Sequence, residues 1–61
     1  MEDFDRLKQV VAEAETDVVK CDAGNKAAGT RVRKQMQEIK KAAQAVRQSV
    51  LELREAPPPA P

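Results

Sequence analysis

Sixty-one residues allow one small domain, and a chain that short is marginal unless a disulfide, a metal or a second copy supports it. One Cys closes no disulfide within the chain, and the absence of His leaves no Cys/His set for zinc. No metal site and no cofactor is therefore expected, and self-association with tidy helix packing is the support that remains.

The single aromatic residue is Phe4, and proline stands only at Pro57, Pro58, Pro59 and Pro61. With Ala, Gln, Glu, Lys and Arg in excess, the composition reads as all-α. The N-terminus is acidic and has no apolar run, so no secretory leader is expected. No stretch nears the roughly 18 apolar residues of a spanning helix, so no membrane role is expected either. A lone Cys21 fits a reducing compartment, and the chain reads as cytoplasmic.

The net charge of +1 hides a strong split. Residues 1–24 carry seven acids against Arg6, Lys8 and Lys20, a balance of −4. Residues 25–47 carry Lys26, Arg31, Arg33, Lys34, Lys40, Lys41 and Arg47 against Glu38, a balance of +6. Such asymmetry points to a partner of opposite sign, or to two halves that face each other.

The first element is a helix over about residues 3–22. Phe4, Leu7, Val11, Ala14, Val18 and Cys21 follow steps of three and four, the pattern of a coiled-coil seam. Gly24 then suits a helix stop and Asn25 a helix N-cap, which places a turn at about 23–25. A second helix follows over about 26–55. Its seam reads Gly29, Val32, Met36, Ile39, Ala43, Val46, Val50 and Leu53.

Folded back on Asn25, the two seams match layer by layer. Cys21 meets Gly29, Val18 meets Val32, Ala14 meets Met36, Val11 meets Ile39, Leu7 meets Ala43 and Phe4 meets Val46. Small residues face large ones in most layers, which fills the seam without voids. One unbroken helix would hold Gly24 and Gly29 in its interior at about 1 kcal/mol each. The expected fold is an antiparallel, coiled-coil-like helical hairpin spanning 1–55 that dimerises into a helical bundle.

Two features motivate the dimer. Val50 and Leu53 run past Phe4 with no partner in the chain, and apolar residues continuing a heptad call for a second chain. The flank holding Val10, Ala28, Gln35, Ala42 and Ser49 is small and uncharged, so it suits close packing on a copy. Val10, Ala42, Val50 and Leu53 are the expected dimer contacts. Residues 56–61 read as a disordered, proline-rich tail that cannot continue a helix.

Catalysis needs a positioned acid, base, nucleophile or metal. Cys21 falls on the seam, where a buried structural thiol is expected, and the carboxylates form a solvated face. The stretch Gly24-Asn25-Lys26-Ala27-Ala28-Gly29-Thr30 lacks the strand and the Gly-Lys-Ser/Thr ending of a phosphate loop. No enzyme and no small-molecule substrate is expected. The same stretch does open a helix, where free N–H groups and the dipole favour an anion. Lys26, Arg31, Arg33 and Lys34 surround it, and Lys40, Lys41 and Arg47 continue along the helix. Arg33 and Lys40 are also within reach of Glu15 and Asp22, so internal pairing stands as an alternative for them.

The turn Gly24-Asn25-Lys26-Ala27-Ala28, the following Arg31-Val32-Arg33-Lys34, and Ile39-Lys40-Lys41 with Ala45-Val46-Arg47 resemble the core of the bacterial histone H1-like proteins of the chlamydial Hc1 type. The resemblance covers most of residues 4–54. It implies a nucleoid-associated protein that binds DNA, with Lys26, Arg31, Arg33, Lys34, Lys40, Lys41 and Arg47 as the basic positions that carry over. Binding of this kind is expected to be non-specific, salt-sensitive and directed at backbone phosphates. The alternative is a coiled-coil oligomerisation or adaptor module with no nucleic-acid role. A third reading is adhesion to acidic protein or membrane surfaces; for membranes it lacks large apolar residues among the cations.

Overall fold

The expected hairpin is present in the computed structural model, which describes the backbone of residues 1–55 and the side chains of residues 1–53. The expectation for residues 56–61 lies outside the described residues. Helix α1 spans Glu2–Asp22 and helix α2 spans Lys26–Glu55, and they pack against each other. Glu2, Asp3 and Asp5 in the first turn of α1, and Lys20 in its last, complement the helix dipole.

The reversal is set by two adjacent residues. Gly24 has φ of 101°, a left-handed conformation that L side chains resist. Its N–H donates to the Cys21 carbonyl at 2.9 Å, and the Asn25 N–H donates to the Lys20 carbonyl at 3.0 Å. Those two bonds form a Schellman stop, which satisfies carbonyls that the end of α1 leaves free. Asn25 then caps α2, its Oδ1 accepting the Ala28 N–H at 3.0 Å. One short segment thus closes one helix and opens the next.

Three cross-helix points fix the antiparallel alignment. Ser49 donates to Asp3, Gln35 Nε2 donates to Asp17 Oδ2 at 3.0 Å, and a Cβ built on Gly29 would stand 3.4 Å from Cys21 Sγ. Gly29 and Cys21 therefore lie level, as the layer match expects.

The rotation of each helix differs from the expected seam. Among the described residues, Val10, Ala14, Ala28 and Ala42 are the buried hydrophobic ones, at most 8% exposed. Phe4, Val11, Val18 and Met36, expected inside, are 42–48% exposed, and Val50, expected to have no partner within the chain, is 41% exposed. The pairings of Val11 with Ile39, Val18 with Val32 and Ala14 with Met36 are accordingly not the buried layers. Two physical reasons favour the observed rotation. Ala28, Ala42 and Ser49 let the helices approach closely, and Asp17, Gln35, Asp3 and Ser49 gain hydrogen bonds across the contact. Cys21, expected to be buried, is exposed.

Candidate nucleic-acid interface

On α2, the side turned toward α1 runs through Ala28, Val32, Gln35, Ile39, Ala42, Val46 and Ser49, all buried or half-buried. Helical geometry puts the residues half a turn away on the outer surface. These are Lys26, Arg33, Lys34, Lys40, Lys41 and Arg47, with Thr30, Gln37 and Gln44 between them, and all are exposed. Thr30 aside, this outer surface holds cations and amides; Glu38, one turn from both Lys34 and Lys41, is the one carboxylate between Lys26 and Arg47 and stands at its edge. At about 1.5 Å per residue the surface runs for roughly 30 Å.

The middle of this strip is slightly concave. Gln37, Lys40, Lys41, Gln44 and Arg47 line a shallow, open hollow. Arg47 Nη1 donates to Gln44 Oε1 at 3.3 Å, which holds the guanidinium along the helix surface. Among the described residues the ion pairs are Lys8 with Asp5 at 3.7 Å and Arg31 with Asp17 at 3.0 Å. Arg33 and Lys40 thus make no ion pair with Glu15 or Asp22 of their own chain.

A predominantly basic helix face on a small helical hairpin is the setting in which the sequence match becomes meaningful. The family model for the histone H1-like protein Hc1 matches residues 1–56. The chain belongs to this histone H1-like family. No curated protein and no solved structure matches it. No helix among the described residues is long and apolar enough to cross a membrane.

In this histone H1-like chain the sequence-derived cations divide into two groups. Lys26, Arg33, Lys34, Lys40, Lys41 and Arg47 share the outer side of α2. Arg31 does not: its Nε donates to Asp17 Oδ1 at 3.0 Å, beside the Gln35 bond to the other carboxylate oxygen. The hydrogen bond from Arg31 holds the Asp17 carboxyl below its ordinary value of 3.8, against partial desolvation that pushes it up, and the Gln35 bond adds to the lowering. Arg31 is thereby a tie between the helices rather than an open cation. The start of α2 is also less open than a bare helix end, because Asn25 already takes the Ala28 N–H.

The expected dimer contacts also divide. Val10 and Ala42 lie inside the hairpin, whereas Val50 and Leu53 are exposed. Sequence reasoning missed Gln37 and Gln44, which carry no charge. The available signal is their seven-residue spacing, which sets them between the rows of Lys40/Arg47 and Lys34/Lys41.

Proposed function

We propose that this chain is a nucleoid-associated protein of the bacterial cytoplasm that binds DNA without sequence preference, laying the outer side of α2 along backbone phosphates. The observation that carries this reading is the strip from Lys26 to Arg47. Its cations are exposed, outnumber the one carboxylate beside them, Glu38, and make no ion pair among the described residues. Gln37 and Gln44 supply neutral donors of the kind that also contact phosphate. Membership of a histone H1-like family supports the same partner. Duplex rather than single-stranded DNA is favoured, because the one aromatic residue, Phe4, sits on α1 and offers no stacking row. The function is binding, not catalysis.

The chain acts as a homodimer in this reading, since Phe4, Val11, Val18, Met36 and Val50 stay exposed in one hairpin. The same exposure favours the adaptor reading, in which pairing is the whole function. A gel shift of a random duplex at low and physiological salt separates the two. The DNA reading expects a shift at low salt that weakens strongly at the higher salt. No shift at low salt leaves the adaptor reading.

A further inference from the structure

The rotation of the helices leaves apolar columns on the surface. On α1, Phe4, Val11 and Val18 recur at seven-residue steps, and on α2 Met36 and Val50 do so around Ala43. In an antiparallel pair, rows displaced in the same sense from the contact emerge on the same side. Both columns therefore share one face of the hairpin. A hairpin whose buried hydrophobic residues, among those described, are one Val and three Ala has little core of its own.

The two edges of that face carry opposite charge. Beside the α1 column stand Glu15 and Asp22. The one cation of that row, Lys8, is 3.7 Å from the Asp5 carboxylate and 5.5 Å from the centre of the Phe4 ring. Beside the α2 column stand Arg33, Lys40 and Arg47. The edges lie on opposite outer sides of the hairpin, so neither neutralises the other within one chain.

We propose that a second copy of this chain covers this face, related by a two-fold axis parallel to the helices, so that α1 of each copy lies over α2 of the other. Two face-to-face arrangements keep the helices aligned. An axis across the helices stacks α2 on α2 and lays one cationic edge against the other, which like-charge repulsion opposes. An axis along the helices lays Glu15 and Asp22 against the partner's Arg33 and Lys40. It also preserves height along the bundle. Glu15 then stands level with the stretch between those two cations, because Asp17 is already level with Gln35 within one chain. Exposed pairs of this kind add little affinity and are screened by salt. They select the arrangement, while the apolar columns supply the attraction.

The choice of axis has a functional consequence. It turns the outer sides of the two α2 helices to opposite flanks of the dimer. Two cationic strips facing apart hold two duplexes at once, whereas the other axis puts both strips on one flank. Bridging rests on the DNA-binding reading, and the interface itself does not.

The test is sedimentation equilibrium of the full chain without DNA, with helicity followed by circular dichroism. Val11→Lys with Met36→Lys raises the dimer Kd at least about tenfold. Glu15→Lys with Asp22→Lys weakens the dimer, Arg33→Glu with Lys40→Glu weakens it too, and the four changes together restore it. The charge pairs decide the matter even if the apolar variant loses helicity, because all four positions are exposed. A wild-type chain that stays monomeric, or an Arg33→Glu/Lys40→Glu variant that dimerises more tightly, overturns the proposal. For bridging, an immobilised duplex captures a second, labelled duplex at low salt through the wild type. The Val11→Lys/Met36→Lys variant loses capture while still shifting one duplex. A dimer that shifts a duplex but captures no second one overturns bridging. A dimer that shifts none removes the DNA reading and bridging together and leaves the interface standing.

Discussion

Gln35 donates to Asp17 at 3.0 Å across the two helices, and the same carboxylate receives Arg31. This cluster makes the hairpin pH-dependent. The Asp17 carboxyl is lowered in the fold from an ordinary value of 3.8, so its contribution is present above that value and is lost as pH falls through the folded one. The melting temperature of the wild type therefore drops more steeply on acidification below 3.8 than that of Asp17→Asn, which is less stable at neutral pH. Superimposable pH profiles for the two proteins contradict this role.

The turn makes a prediction of sign. Gly24→Ala places a side chain at φ of 101° and costs about 1–2 kcal/mol. Asn25→Ala removes the cap on Ala28 and costs about 1 kcal/mol. Gly29→Ala acts the other way. Its new methyl meets Cys21 Sγ at 3.4 Å, an ordinary contact, and the helix gains up to about 1 kcal/mol. Denaturant melts of the three variants check the order; a destabilised Gly29→Ala contradicts the packing described at the turn.

Much of this fold was legible in the sequence, for local reasons. Gly24 and Asn25 announce a stop and a cap through their own backbone and side-chain chemistry, and the heptad steps announce two helices. The rotation of those helices was not legible. Counting apolar residues points the Val11, Val18 and Met36 columns inward, but the contact forms where Ala28, Ala42 and Ser49 permit close approach. It also forms where Asp17 meets Gln35 and Asp3 meets Ser49. Those are pairwise gains between residues distant in the chain, and no single-helix pattern displays them. The same holds for the cations. The row from Lys26 to Arg47 follows from spacing, whereas the loss of Arg31 to Asp17 needs both helices in place.

Arg31 and Lys41 are consequently separable by mutation. Arg31→Ala lowers the melting temperature and leaves the salt dependence of DNA binding near that of the wild type. Lys41→Ala leaves the melting temperature unchanged and flattens the salt slope by about 2 per dimer, roughly 0.9 for each phosphate contact. The reverse assignment of the two effects contradicts the division of cations between the contact and the outer strip.

The most direct test of the central claim is the salt dependence of duplex binding by the wild type and by Lys34→Ala/Lys41→Ala. With Lys26, Lys34, Lys41 and Arg47 of two chains engaged, about eight phosphates are neutralised and log affinity falls against log salt with a slope near −7. The double variant keeps its helicity, since both positions are exposed on the outer side, and its slope flattens by about 4. Unchanged affinity and an unchanged slope in that variant contradict DNA binding through the outer side of α2.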